Sequence, residues 1–261
     1  MATRKKAGTA MVRWDEELAK EAEAQAASEK GASLGSFFSV RGGQLSFQGN
    51  PIKNNTMDVI ILDYVLENLS FEGDFDPDDP RSPECYAFGR DEEDMAPHDE
   101  STTKFSDACK GCPRNEFGSA AKGKGKACKN TRRLAMIPYN ALDNSIEDAE
   151  IAYLKLPVTS VKGWAGYVDK LKNVVKRPTW AVITTVEVIP DAKNQVAVTF
   201  SLSDKIDNEH LTALKARSKE VAASIEFPYP KNSERAAPSR GRSAASKAAA
   251  SKTAPKKKAK F

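Results

Sequence analysis

All four cysteines of the 261-residue chain, Cys85, Cys109, Cys112 and Cys128, fall within one stretch of about 45 residues. Cys109-Lys-Gly-Cys112 has the spacing of a tight turn that gives two thiolates to one metal ion. Distant strands or loops supply the other two, and four soft sulfur donors at tetrahedral corners are what a structural Zn²⁺ takes. Such a closed site would tie three segments of chain together. The ligands would also pin the ends of residues 113–127, a run rich in glycine and lysine, which leads at once into Lys129-Asn-Thr-Arg-Arg133.

Three other readings compete for the same thiols. Two disulfides could join them, but the chain opens Met-Ala-Thr-Arg-Lys-Lys without an apolar signal segment, so a reducing cytoplasm is expected. Four unrelated cysteines could each pack as a small hydrophobe. Redox chemistry would call for a thioredoxin-like βαβ pattern around the Cys-x-x-Cys pair, and none surrounds it. His98 lies in the same region and could replace Cys85 as a ligand.

The net charge of +4 hides three opposed blocks. Residues 231–261 carry about +9, residues 71–100 about −10, and residues 104–133 about +7. A protein that merely coated polyanion would not need the acidic block, which either faces away from nucleic acid or competes with it for the basic loop. The composition, 40% hydrophobic and 29% charged, is that of a soluble protein. No run approaches the about 18 apolar residues of a membrane span.

Residues 1–32 read as a basic arm and a helix, with Trp14, Leu18 and Ala22 on one face. Residues 37–40 and 45–47 flank Arg41-Gly-Gly-Gln44 as a hairpin. Residues 57–69 are Val/Ile/Leu-rich without helical spacing and read as a long buried strand. Residues 132–138, 150–156, 180–189 and 195–202 are further strands. A helix is expected over 162–175, with Ser160 as a candidate cap, and an amphipathic one over 208–225. The tail 231–261 lacks the apolar residues to offset its ordering entropy and is expected to be disordered. The predicted class is therefore mainly β with peripheral helices, an α+β arrangement. Residues 33–230 would form a small barrel of the OB type with a zinc-binding insertion at about 74–130.

The runs Pro83-Glu-Cys85-Tyr-Ala-Phe-Gly, Met95-Ala-Pro-His98, Cys109-x-x-Cys112-Pro-x-Asn-x-Phe-Gly-Ser119 and Gly123-Lys-Gly-Lys-Ala-Cys-Lys-Asn-x-Arg-Arg-Leu134 resemble a set of bacteriophage proteins of single-stranded-DNA binding and recombination. The likeness covers about residues 35–205, and its most specific part is the Gly-Lys-Gly-Lys-Ala-Cys-Lys-Asn string. It implies an OB-like core with a Cys₄ zinc insertion, a host-cytoplasmic protein, and phage replication or recombination proteins as partners. One departure stands out. Many single-stranded-DNA-binding proteins end in an acidic tail with a terminal aromatic, whereas Phe261 here follows Lys256-Lys-Lys-Ala-Lys260.

For binding unpaired DNA, Lys122, Lys124, Lys126 and Lys129 stand among glycines that let phosphates approach the backbone. Arg132 and Arg133 enter the next strand on opposite faces, so at most one points into a groove. Phe117, Trp164, Tyr167 and Trp180 are the candidate stacking platforms, worth about 1–3 kcal/mol per base; core packing is the alternative for each. An enzyme is not expected: there are two histidines, and no phosphate-binding loop, His-Glu-x-x-His or serine elbow. The carboxylates of residues 74–79 could bind Mg²⁺, but a nuclease site needs such groups to converge from separate elements. The competing function is a non-enzymatic structural or regulatory phage protein whose basic tail binds DNA nonspecifically.

Overall fold

A computed structural model describes residues 36–73, 81–191 and 195–230. The arm and helix read over 1–32 and the tail read over 231–261 lie outside them. Nine strands form one sheet: β1 (Ser36–Arg41), β2 (Gln44–Phe47), β3 (Asn50–Pro51), β4 (Thr56–Ser70), β5 (Cys85–Gly89), β6 (Lys129–Pro138), β7 (Ala152–Leu156), β8 (Val182–Asp191) and β9 (Gln195–Lys205). Among the described residues two α-helices accompany them, α1 (Val161–Lys170), prolonged by a π-helical turn at Leu171–Val175, and α2 (Asn208–Ser224). None of the described helices is long and apolar enough to cross a membrane.

The strand order is β3-β2-β1-β7-β6-β4-β8-β9. The long strand β4 organises it. One edge of β4 pairs with β6 from Val59 to Leu69, while its other edge is shared, with β8 on Thr56–Val59 and β5 on Leu66–Ser70. The sheet is open, and it curls. Leu45 near one end of the order and Val198 near the other belong to a single buried cluster with Ile61, Leu134, Met136, Leu154 and Val186, closed by Trp164, Tyr167 and Leu171 of α1 and its extension. Ile60, Leu62, Val65, Ala135 and Ile137 point to the opposite face, where Leu214, Val221 and Ile225 of α2 and its end cover them. Alternate residues thus bury on both faces, which is why β4 is rich in Val, Ile and Leu at consecutive positions, as in Val59-Ile-Ile-Leu62. An irregularity between Ile61 and Asp63 in the β4–β6 register shifts the parity, so that Ile60 and Leu62 share a face with Val65 and Glu67.

The β1–β2 hairpin closes with Arg41 opposite Gln44 and both central glycines at positive φ, +57° and +78°, the geometry a two-residue turn requires. Ser160 does not cap α1 through its side chain. Its Oγ instead accepts the Val198 N–H at 2.8 Å, joining the helix start to the edge strand β9. Strands β3 and β5 had no counterpart in the sequence reading.

Candidate nucleic-acid interface and thiol cavity

The four cysteines come from separate pieces of one lobe at the β5 end of the sheet. Cys85 opens β5, paired in register with Ser70. Cys109 and Cys112 sit in a turn whose Gly111 has φ +74°, with the Cys112 N–H donating to the Cys109 carbonyl at 3.4 Å. The Cys109 N–H donates to the Met95 carbonyl at 2.8 Å, and Met95 itself is buried where Gly89 leaves room. A Cβ on Gly89 would lie 2.6 Å from Met95 Cγ. Cys128 directly precedes β6, and its N–H donates to the Arg114 carbonyl at 2.8 Å.

All four thiols are free, and all four line one cavity of ≈ 20 Å³, together with Asn68, Phe105, Arg114 and Asn115. A cavity of that size holds about one water-sized occupant. Burial pushes up the Cys85 and Cys109 thiols, and it pushes Cys128 up to about 12, reinforced by the negative charge that Cys109, Cys85 and Cys112 would add on ionising. Around this small space the ionisation of one thiol opposes that of its neighbours, an opposition that a bound cation would relieve. Donor type, number and cavity size therefore fit a thiolate-bound metal. The side chains share the space without being drawn into a ligand set: among the described residues, no three His, Cys, Asp or Glu side chains stand ready to hold a metal ion. His98 is engaged elsewhere, stacked on Tyr86 at 4.9 Å and accepting the Glu100 N–H at Nδ1.

Between Cys112 and Cys128 the loop is knitted by its own backbone. Ser119 Oγ donates to the Arg114 and Glu116 carbonyls and accepts the Ala127 N–H, while the Gly118 and Ala120 amides reach back to Gly125. Within the loop Phe117 is 82% exposed, with Lys126 Nζ 5.1 Å from the ring centre. Lys122, Lys124 and Lys129 are exposed, and Lys126 is half-buried against Asn115. Beside the loop runs a groove of ≈ 640 Å³ whose walls include Phe71, Arg114, Lys122 and Lys129. Sequence reasoning missed Phe71 and Arg114. Arg114 had a signal in its place directly after Cys112-Pro113, inside the segment the thiols bracket.

Four predicted contacts are elsewhere. Arg133 is fully buried: it pairs with Glu67 at 2.6 Å and donates to the Ile225 and Phe227 carbonyls, with the Phe88 and Phe227 rings stacked near its guanidinium. It has no surface to give to a phosphate. Trp164 and Tyr167 are core residues of α1, with the Tyr167 hydroxyl bonded to Thr184 at 2.7 Å, and so offer no face to a base. Trp180 is half-buried in a turn before β8, packed against the α2 side of the core. Arg132 lies on the opposite face from Arg133, as alternation requires, and pairs with Glu92 at 3.0 Å. Glu93 pairs with Lys110 nearby. Part of the acidic block therefore folds onto cations of the basic one.

No family model, curated protein or solved structure matches this chain.

Proposed function

We propose that this chain is a non-enzymatic single-stranded-DNA-binding protein whose cysteine lobe is stapled by one structural zinc ion. The curled sheet is read as OB-like, the lobe as its insertion, and phage replication or recombination as the setting. Cys85, Cys109, Cys112 and Cys128 would hold the ion. Zinc supplies a closed tetrahedral knot there and no reactive position. The observation that carries the reading is the lobe's surface: an almost fully exposed Phe117 beside Lys126, flanked by exposed Lys122, Lys124 and Lys129, on a loop closed by the thiol cavity. An exposed ring among cations is what unpaired bases and their phosphates require, stacking for one and charge for the other. The roughly +9 of residues 231–261 would add sequence-independent affinity.

The burial of Trp164, Tyr167 and Arg133 favours a second reading, in which the core contributes little and the zinc-stapled protein binds DNA nonspecifically through its tail. Titration of labelled single-stranded and duplex oligonucleotides at one salt concentration separates them. Single-strand preference, lost by about 1–3 kcal/mol in Phe117→Ala, supports the first. Equal affinity for both forms, unaffected by that substitution, supports the second.

A further inference from the structure

Arg114 stands in the wall of two cavities at once, the thiol cavity on one side and the groove beside the basic loop on the other. Its backbone is held between two of the cysteines. It lies in the one-turn helix Pro113–Asn115 that follows Cys112, the Asn115 N–H donates to the Cys112 carbonyl at 2.8 Å, and the Arg114 carbonyl accepts the Cys128 N–H. Its side chain reaches a third cysteine segment. The guanidinium donates to Ser70 Oγ at 3.0 Å, and Ser70 is the register partner of Cys85. It also donates to the Phe71 carbonyl at 3.4 Å and lies 3.9 Å over the Phe105 ring. Among the described residues its ion-pair partner is Glu84, whose carboxylate lies 3.9 Å away, beyond hydrogen-bonding reach. Its hydrogen bonds are thus to neutral oxygens, which aim it, and its one ion pair among the described residues is a long one.

Building on the nucleic-acid reading above, we propose that the groove between Phe71 and the loop seats a phosphodiester segment of the strand, and that Arg114 links the groove's affinity to metal occupancy of the thiol cavity. A metal ion that draws the Cys112 and Cys128 sulfurs together fixes the backbone on both sides of Arg114, and with it the fork that faces the groove. Without the ion, the same guanidinium is held by two hydrogen bonds, one ring and the long ion pair to Glu84. Lys122 and Lys129 add charge along the walls, and Phe71 places an aromatic side chain in the wall at the end of β4. The coupling is reciprocal: a bound strand tightens the metal by the same factor.

The test uses the full chain and a fluorescein-labelled oligothymidylate, read by fluorescence anisotropy with zinc bound, after chelation, and after zinc is restored. Zinc content and far-UV circular dichroism are measured on the same samples. Wild type is expected to bind about tenfold tighter with zinc than without, reversibly. Arg114→Lys keeps the charge but loses the fork. It is expected to retain the salt dependence and lose the zinc response. Arg114→Gln is expected to lose the zinc response and also flatten the salt slope by about 0.7. The coupling is overturned by equal wild-type affinity with and without zinc, by a full zinc response in either variant, or by loss of zinc from Arg114→Lys, which would make Arg114 a brace of the lobe. If wild type binds no oligothymidylate in any state, or takes up no zinc, the function proposed above falls as well.

Discussion

The sheet and the cysteine lobe are held together by different means. The sheet buries alternate residues of β4 and β6 into two clusters, each closed by a helix. The lobe has two smaller clusters, Leu66, Ala87, Met95 and Cys109 in one and Tyr86 with Leu69 and Tyr229 in the other. A fully buried Leu or Met contributes about 1.5–3 kcal/mol, while ordering costs about 1–2 kcal/mol for each residue's backbone. Against the ordering cost of residues 85–128, those clusters are small. A small unit with little core gains from another constraint, and on the function proposed above that constraint is a metal held by the four thiols around one cavity.

Metal removal is therefore expected to have the largest effect, and a local one. Chelation should speed amide exchange throughout residues 85–130, while the amides of Ile60, Ile137 and Val182 in the sheet keep their protection. Cys128→Ser should do the same without chelator and abolish stoichiometric zinc. Loss of protection in both regions together would show that the two are one cooperative unit and end the comparison.

The next effect belongs to the sheet. Arg133→Met leaves Glu67 charged, fully buried and short of its cation, and should lower stability by about 3–5 kcal/mol in urea unfolding. Zinc content should not change. Tyr229→Phe removes a 2.7 Å hydrogen bond to the same carboxylate, for a loss of about 1.5–3 kcal/mol. A loss of zinc in either variant would tie the network to the lobe rather than to the sheet.

How much of this could be read from the sequence depended on the range of the interaction. The long strand, both helices and the Gly42–Gly43 turn follow from local periodicity and local φ requirements, and the structure has them near the expected bounds. Strand β5 escaped because Cys85–Gly89 is short, follows a proline-broken acidic stretch, and owes its existence to pairing with Leu66–Ser70. Arg133 was misassigned because a charge among charges reads as surface. The informative residue was its partner, since Glu67 sits between Val65-Leu66 and Leu69 in the fully buried half of β4, where burial on both faces calls for a counter-charge. Which cation answers it is a matter of strand order, and no local pattern encodes that. For Trp164 and Tyr167 the helical spacing was visible; that the curled sheet closes over them was not.

The smallest expected effect concerns pH and sharpens the contrast, because it isolates the buried network from the thiols. Lys155 faces Arg133 across β6 and β7, and its ammonium lies 4.6 Å from the centre of the Tyr229 ring. Burial holds its pKa below the usual 10.5; Glu67 opposes that shift, and Arg133 adds to it. Between the folded value and 10.5 the unfolded chain binds more protons than the folded one. The contribution of Lys155 to stability must therefore rise with pH across that window. The raised Tyr229 phenol acts with the opposite sign, but only above its usual 10; the raised thiols of Cys85, Cys109 and Cys128 would do so above about pH 9 in the metal-free chain, which is why the metal is kept bound. The measurement is thus the difference in urea midpoint between wild type and Lys155→Met as pH climbs, with zinc bound throughout. That difference should shift steadily in favour of wild type. A difference independent of pH would mean that the amine escapes to solvent and that the charge balance under the Phe227–Tyr229 segment rests on Glu67 and Arg133 alone.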